Sequence, residues 1–220
     1  MKDPESLRQI YNERYSTGGS RWTTEDPVRC AETVRWVIRR AGITRQNGLT
    51  VLDVGCGTGY YTSAFSKAGF KATGLDYSEV AIAKSKTIHK DCDFIHGDGF
   101  NPPSDKFYDL VFCRGFSGAN THDLQFVAEW INKYIQILNP GGVVVLSYST
   151  DLSGKEAENE TVNWTLEEMT SLSKRVKAGL TSMSFYYRKG ILSRSYNLLR
   201  TMLRGKRNKE YFYMMFSKEK

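Results

Sequence analysis

The apolar positions of this chain fall into short continuous runs, separated by segments in which apolar residues recur every three or four positions. The continuous runs predict strands that are buried on both faces. These strands cover residues 50–54, 71–75, 94–96, 108–113 and 143–148. The wider spacing predicts amphipathic helices. These helices cover residues 60–68, 79–90 and 121–138. Such alternation predicts an α/β fold with a mostly parallel sheet and helices on both of its faces.

Residues 1–49 are predicted to be helical with one break, a Ser- and Gly-rich loop at 16–20. The helix after this loop has Asp26 in the N-cap position and Pro27 in its first turn, which is a typical helix start. We interpret 1–49 as a helical segment that precedes the sheet, and 50–220 as the domain that contains the sheet.

Beyond the fifth strand the pattern is less regular. A helix is predicted near 165–178, and further strands are predicted at 182–187 and 211–216. Between these two strands the spacing predicts an amphipathic, basic helix at 191–204, within an insertion that covers about 188–209.

Positive charge is concentrated in this last quarter of the sequence. The formal net charge is +7, yet residues 169–209 contain eleven Lys and Arg and no acid, so the rest of the chain carries a net charge of −4. Two interpretations of the basic region at 174–209 stay open. It docks on an anionic partner such as RNA, a phosphorylated metabolite or a membrane surface, or it is a solvated face that maintains solubility.

Other features of the composition bound the location and the chemistry. No apolar run approaches the roughly 18 residues of a membrane span, and residues 1–5 lead into no apolar segment of the secretory type. The cysteines form no C-x-x-C pair and have no spacing that predicts a zinc site. They are Cys30, Cys56, Cys92 and Cys113. We therefore expect a cytoplasmic protein without a metal site.

The most informative segment is Val51–Tyr60, a buried strand that runs through a glycine-rich turn into a helix. Gly55, Gly57 and Gly59 let the backbone approach a ligand closely, because no Cβ stands in the way. A dinucleotide site requires the spacing G-x-G-x-x-G. Here the spacing is G-x-G-x-G, and Asp53 precedes the first glycine by two residues. This arrangement favours a cationic or zwitterionic ligand over a pyrophosphate.

This segment resembles the first motif of class I S-adenosylmethionine-dependent methyltransferases, written (V/I)LD(V/I)GCGTG in that family. The order of the later segments also matches, so the resemblance covers about 50–148. It implies a Rossmann-like, doubly wound sheet of seven strands, mostly parallel, with an antiparallel C-terminal strand that follows the helical insertion. It also implies that the chain binds S-adenosyl-L-methionine and is an enzyme that transfers its methyl group.

The resemblance assigns a cofactor role to residues after the first three strands. In the family, an acid at the position of Asp76 accepts both ribose hydroxyls, and the residue after it packs on the adenine ring. Tyr77 would supply an aromatic face at that position. Asp76 could instead cap the next helix. Asp98 matches the acid that binds the adenine amino group, and Phe100 would close the ring pocket. The cofactor-binding residues implied within the domain are Asp53, Gly55, Cys56, Gly57, Thr58, Gly59, Asp76, Tyr77, Ser78, Asp98, Gly99, Phe100 and Cys113.

The N-terminal segment loosely resembles a sequence that folds over the cofactor in many small-molecule methyltransferases. The matching residues are Tyr11, Tyr15, Gly18, Gly19, Arg21 and Trp22. The resemblance adds Tyr15 and Arg21 to the cofactor-binding residues, and it implies that this segment acts as a lid. Trp22 could instead be a core anchor.

Methyl transfer to a hydroxyl requires a general base, whereas a carboxylate acceptor needs none. His122 lies just after the loop of the fourth strand and is the candidate base, although it could also be an exposed histidine at a helix start. Asp123 could be a helix cap. Arg114, at the end of the fourth strand, could orient an anionic acceptor or support the cofactor loop.

The leading interpretation is a methyltransferase for a small molecule or a sugar, with oxygen preferred over nitrogen as the acceptor atom. An alternative is an RNA methyltransferase, or one for a membrane-associated lipid or glycan, that docks through the basic region at 174–209. A more remote alternative is a protein that binds S-adenosylmethionine without catalysis. The sequence does not identify the acceptor or the oligomeric state.

Overall fold

The computed structural model describes residues 4–17, 25–156, 161–185 and 210–219. The strands are β1 (Thr50–Val54), β2 (Lys71–Asp76), β3 (Asp93–His96), β4 (Tyr108–Arg114), β5 (Leu138–Thr150), β6 (Gly179–Phe185) and β7 (Glu210–Ser217). The helices are α1 (Pro4–Ser16), α2 (Pro27–Arg40), α3 (Tyr60–Lys67), α4 (Glu79–Ile88), α5 (Leu124–Gln136) and α6 (Leu166–Arg175), with a short 3₁₀ helix at Ser117–Ala119.

The seven strands form one sheet in the order β3-β2-β1-β4-β5-β7-β6. Strands β1 to β5 pair in parallel, and β7 lies antiparallel between β5 and β6. The predicted mixed sheet with an antiparallel C-terminal strand is therefore confirmed. The predicted insertion at 188–209, with its helix at 191–204, lies outside the described residues. Because the chain order reverses between β1 and β4, ligands are expected at the carboxyl ends of these strands.

The parallel strands are buried on both faces, as their continuous apolar pattern predicts. Leu52 of β1 belongs to a core cluster that α5 and α6 cover with Trp130 and Met169. Val51, its neighbour in the strand, points to the opposite face and packs in a second cluster with Phe65 of α3. The alternation of side chains along a strand thus divides the apolar core into two halves.

Capping side chains fix several helix starts. The Asp26 carboxylate accepts a hydrogen bond of 3.0 Å from the Val28 amide, so the predicted cap of α2 is confirmed. Asp123 caps α5 through the Phe126 amide at 3.0 Å. Helix α5 consequently begins at residue 124, three residues later than predicted, because the cap residue itself has a non-helical backbone.

The start of β5 differs from the prediction. The fifth strand was predicted at 143–148, yet β5 begins at Leu138, which pairs with Tyr108. The register shifts between Tyr108 and Leu110, and Gly141 has a φ of 76°. Residues 139–142 thus belong to the strand as an irregularity. Strand β6 also begins earlier than expected, because Gly179 pairs with the far end of β7.

Within the part of the chain that the structure describes, no helix is both long enough and apolar enough to cross a membrane.

Candidate active site

The loop between β1 and α3 is held in a conformation that glycine favours. Gly55, Gly57 and Gly59 have φ angles of 71°, 54° and 82°, a region in which residues with a Cβ are strained. A Cβ at Gly57 would lie 2.7 Å from the Tyr15 hydroxyl oxygen, which is closer than such atoms approach. The loop therefore depends on glycine both for its backbone angles and for the space that it leaves.

The Asp76 carboxylate links this loop to the end of β2. It accepts a hydrogen bond of 2.8 Å from the Gly57 amide and one of 2.9 Å from the Ser78 amide. The neighbouring Ser78 caps α4, since its hydroxyl accepts from the Ala81 amide at 3.1 Å. Asp76 is thus not the cap of α4. Burial raises its pKa, although its backbone hydrogen bonds act in the opposite direction.

The Asp53 carboxylate lies beneath the same loop and is buried. Burial raises the pKa of Asp53 to about 7, and the hydrogen bond of 2.6 Å from the Thr62 hydroxyl opposes this shift. An acid with such a pKa is easily ionised by a nearby positive charge. Asp53 and Asp76 thus create a negative environment around a loop that carries no cation of its own, which suits a cationic ligand.

Helix α1 packs against this loop. Tyr15 is 6 % exposed, and its backbone carbonyl accepts a hydrogen bond from the Lys84 ammonium. The Ser78 hydroxyl donates to the Asn12 side-chain oxygen at 2.7 Å. Tyr15 thus lies against the glycine loop, and its role in cofactor binding stays a prediction. Arg21, the other N-terminal candidate, lies outside the described residues.

The loop after β3 lies beside the first loop. The Asp98 carboxylate accepts from the Phe100 amide at 2.9 Å and from the Asn101 side chain at 2.6 Å. The Tyr134 hydroxyl of α5 donates to the Gly99 carbonyl at 2.7 Å and anchors the loop. At the end of β2 the half-buried Tyr77 ring stacks on the His96 ring, with 6.4 Å between centroids.

Phe116 is a site residue that sequence reasoning missed. Its ring lies against three glycines, because a Cβ added at Gly55, Gly99 or Gly118 would come within 3.3, 2.6 or 2.6 Å of it. It also contacts the Phe100 ring at 5.2 Å between centroids. Phe116 therefore joins the loops after β1, β3 and β4. The available signal was an aromatic residue after β4 together with small residues in the other loops.

Of the two cysteines in the predicted set, Cys113 is buried and Cys56 is partly buried. The Cys113 side chain packs in the core and is 0 % exposed, so only its backbone is available to line a ligand site. Burial raises the pKa of both the Cys113 and the Cys56 thiols well above the ordinary value. Neither thiol is suited to act as a nucleophile.

Arg114 lies at the carboxyl end of β4, with its side chain on the face covered by α2 and α3. Its guanidinium carbon is 4.7 Å from the centroid of the Tyr61 ring and 3.9 Å from that of the Tyr211 ring. One of its terminal nitrogens lies 3.6 Å from Glu25 Oε1, and the Arg114 side chain is 10 % exposed. A cation at this depth is stabilised by the two rings and by the acid.

His122 is partly exposed and is paired with an acid. Its Nδ1 lies 2.5 Å from Glu168 Oε1, and the other Glu168 oxygen accepts from the Thr165 amide at 2.7 Å. Burial alone would raise the pKa of Glu168, but the hydrogen bonds from Thr165 and His122 hold it below its ordinary value. Glu168 thus fixes the orientation of the His122 ring, and sequence reasoning did not find it.

Polar contacts hold this part of the site together from separate segments. The Asn120 side-chain oxygen accepts from the Tyr148 hydroxyl at 2.7 Å and from the Val162 amide at 2.8 Å. The Trp164 indole donates to the Thr121 carbonyl at 2.8 Å. The loop after β4 is therefore fixed to the segment before α6 at the two residues that precede His122.

This fold and this loop geometry define a class of protein. A family model described as a methyltransferase domain matches residues 28–185, and the chain belongs to that family. Its mixed seven-stranded sheet is the Rossmann-like fold of the class I S-adenosylmethionine-dependent methyltransferases.

The chain is similar to the demethylmenaquinone methyltransferase of Staphylococcus haemolyticus strain JCSC1435, with 38 % identity over 105 residues, 44 % of this chain and 42 % of the relative. It is also similar to that of Staphylococcus aureus strain MRSA252, with 35 % identity over 116 residues, 50 % of this chain and 46 % of the relative. The chain thus spans less than half the length of these curated relatives.

The fold is also similar to that of magnesium protoporphyrin IX methyltransferase from Synechocystis PCC 6803, solved with bound S-adenosylhomocysteine. The TM-score is 0.69 at 12 % identity, covering 99 % of this chain and 100 % of that one. Because the identity is low, this likeness concerns the fold alone.

Proposed function

We propose that this protein transfers a methyl group from S-adenosyl-L-methionine to a hydroxyl group of a small molecule. The observation that carries the choice of a hydroxyl is the His122–Glu168 pair, which lies at the carboxyl edge of the parallel strands. The glycine loop with its two buried carboxylates lies at the same edge. A base and a cofactor site on one edge are the two components that methylation of oxygen requires.

The residues around the glycine loop fit the proposed cofactor. Asp53 is a buried acid that gains from a nearby cation, and the cofactor carries an ammonium and a sulfonium. Asp76 lies where an acid can accept the ribose hydroxyls. Tyr77, Asp98 and Phe100 would hold the adenine ring. Gly57 allows Tyr15 to pack against the glycine loop, since a Cβ there would lie 2.7 Å from the Tyr15 hydroxyl oxygen.

S-adenosylmethionine would supply a methyl group bonded to a positively charged sulfur, and that charge is lost as the methyl carbon bonds to the acceptor. The protein residues therefore need mainly to align the two reactants and exclude water, which in well-oriented systems lowers a barrier by about 7–11 kcal/mol. They also need to remove the hydroxyl proton.

His122 is suited to that proton transfer. Because the ionised Glu168 carboxylate accepts a hydrogen bond from Nδ1, the neutral ring carries its lone pair on Nε2. His122 would take the acceptor proton at Nε2, and Glu168 would stabilise the imidazolium that results. Glu168 acts through His122 and is a positioning residue.

The small size of the proposed acceptor is supported by the relatives. Two are named as methyltransferases of demethylmenaquinone, which is a quinone and therefore a small molecule. We extend only this general class, a small-molecule acceptor, to this chain. The basic region at 174–209 lies mostly outside the described residues, and no described contact favours an RNA or a membrane acceptor.

The test uses methyl-labelled S-adenosylmethionine with a size-fractionated extract of the source organism. We expect label in the low-mass fraction, attached through oxygen in the isolated product. The variant His122→Asn should lose about 100-fold or more in turnover, while S-adenosylhomocysteine binds with unchanged affinity in calorimetry.

Three results would contradict the proposal. Label released by nuclease from a large fraction would indicate an RNA acceptor, and label that partitions with lipid or glycan would indicate the membrane alternative. Binding of S-adenosylhomocysteine without transfer to any fraction would indicate a protein that binds the cofactor without catalysis.

A further inference from the structure

The guanidinium of Arg114 is deeply buried but incompletely hydrogen-bonded. Its Nε is shielded from solvent and has no hydrogen-bond partner among the described residues. The distance of 3.6 Å between one of its terminal nitrogens and Glu25 Oε1 is long for a hydrogen bond. The Nε–H group is one of the five N–H donors of an arginine, and it is available for a further acceptor. A buried donor without an acceptor is costly, and a ligand could remove that cost.

The position of Arg114 brings it within reach of a ligand on the carboxyl edge. Its backbone pairs with Ser147 of β5, and its Cys113 neighbour pairs with Val54, directly before the glycine loop. Asp53 and Arg114 lie on adjacent strands and face the same side of the sheet, two residues apart in register. The side chain thus lies between the proposed cofactor loop and the antiparallel strand β7, which supplies Tyr211.

Glu25 is already a carboxylate beside this guanidinium. It immediately precedes the N-cap residue of α2 and is one-quarter exposed. An aligned carboxylate would accept two parallel N–H bonds from an arginine, whereas Glu25 makes only the single long contact. Glu25 therefore compensates the charge of Arg114 without satisfying all of its hydrogen-bond donors. A ligand carboxylate with better geometry could replace Glu25.

We propose that Arg114 is the binding residue for a carboxylate of a ligand in the active site, and that Glu25 takes the place of that carboxylate when no ligand is bound. The carboxylate belongs to the acceptor or to the methionine end of the cofactor. The identity of the surrounding site rests on the proposed function. If this carboxylate belongs to the acceptor, the acceptor is a hydroxy acid.

Calorimetry with defined probes tests this site without turnover. S-adenosylhomocysteine and 5′-methylthioadenosine differ by the amino-acid end, and benzoate and benzamide differ by the negative charge. The first pair is titrated into the free protein, and the second into protein saturated with S-adenosylhomocysteine. The variants are Arg114→Gln, Arg114→Lys and Glu25→Gln, with Arg29→Gln as the control for loss of one exposed positive charge on α2.

We expect Arg114→Gln to weaken the binding of S-adenosylhomocysteine or of benzoate about 10-fold or more. The binding of the matching compound without the carboxylate, 5′-methylthioadenosine or benzamide, should not change. Arg114→Lys should recover only part of the affinity, because an ammonium lacks the planar fork. Glu25→Gln should strengthen the binding of the same probe about threefold or more, because the competing carboxylate is gone. A change in S-adenosylhomocysteine alone assigns the carboxylate to the cofactor, and a change in benzoate alone assigns it to the acceptor.

Arg114→Gln and Glu25→Gln are expected to change the affinity for the carboxylate probe in opposite directions, so the proposal is easy to overturn. If Glu25→Gln weakens the probe, Glu25 orients Arg114 and is no substitute for a ligand. If neither carboxylate probe responds to Arg114→Gln, or if benzoate does not bind and S-adenosylhomocysteine is unaffected, Arg114 is structural. Failure of the proposed function is a separate result, because it is read from the labelling experiment and not from these affinities.

Discussion

The cofactor half and the acceptor half of the candidate site share one edge of the sheet but are assembled differently. In the cofactor half, the Asp76 carboxylate accepts hydrogen bonds from backbone amides, one of them that of Gly57, 19 residues away. In the acceptor half, side chains bind side chains of remote segments, as His122 contacts Glu168 across 46 residues. The first half thus depends on local backbone geometry, and the second on how helices α5 and α6 pack.

This difference determines what a substitution can do. Removal of the Asp76 carboxylate in the cofactor half leaves the Gly57 and Ser78 amides unpaired and disturbs the loop itself. Removal of an acid in the acceptor half leaves the backbone in place and changes the orientation or the proton of another side chain. Three predictions test whether the halves can be separated in this way.

The largest effect is expected for Asp76→Ala. The variant loses the acceptor for the Gly57 and Ser78 amides and the proposed partner of the ribose hydroxyls. We expect the affinity for S-adenosylhomocysteine to fall about 100-fold, or roughly 3 kcal/mol, in titration calorimetry. The exposed acid in Asp105→Asn is the control and should bind normally. Unchanged affinity in folded Asp76→Ala protein would show that the cofactor lies elsewhere.

The contrast between the halves also explains how much could be predicted from the sequence. The alternation of strands and helices and the caps at Asp26 and Asp123 follow from short segments whose pattern is local, and the family resemblance implies the grouping of Asp53, Gly57 and Asp76. The start of β5 could not be predicted in the same way, because it depends on the pairing of Leu138 with Tyr108.

The unpredicted site residues are all defined by tertiary contacts. In the sequence, Glu168 has the position of an acid in the first turn of a helix, and in the structure it forms a capping box with Thr165. Its contact with His122 requires the packing of α6 against α5. Phe116 is recognisable only when three glycines from separate loops surround it. Glu25 becomes relevant only because the fold brings it to Arg114.

The second prediction concerns Asp53 and pH. Its pKa is raised to about 7 in the folded protein, against about 3.9 in an unfolded chain. The folded state therefore binds more protons between these values, and stability falls as pH rises through this window. We expect ligand-free protein to lose about 2 kcal/mol of unfolding free energy between pH 5 and pH 7, measured by urea denaturation. Asp53→Asn should remove this loss.

The same acid links pH to binding. A cationic ligand beside Asp53 favours its ionised form, so binding of S-adenosylhomocysteine near pH 6 should release a proton. Calorimetry in buffers of different ionisation enthalpy measures this release. The exposed acid in Asp93→Asn is the control for both experiments. A pH-independent unfolding free energy in the unaltered protein would mean that Asp53 is ionised in the folded state. Water would then reach this carboxylate more easily than its burial indicates.

The smallest effect is expected for Glu168→Gln. One glutamate oxygen accepts from the Thr165 amide and the other contacts His122 Nδ1. A glutamine keeps one acceptor for the helix cap but presents an NH₂ group to His122. The ring would then accept at Nδ1 and carry its proton on Nε2, which is the wrong tautomer for a base at Nε2. We expect kcat to fall about 10-fold, while the affinity for S-adenosylhomocysteine stays unchanged.

Glu167→Gln is the matched control, since it removes the adjacent exposed acid from the same first turn of α6. It should leave kcat unaltered. The two variants share the loss of one negative charge near the helix N-terminus, so only the contact with His122 separates them. Equal rates in Glu168→Gln and Glu167→Gln would reduce the His122–Glu168 pair to a link between α5 and α6. A lower kcat accompanied by weaker cofactor binding would instead mean that the two halves of the site are mechanically coupled.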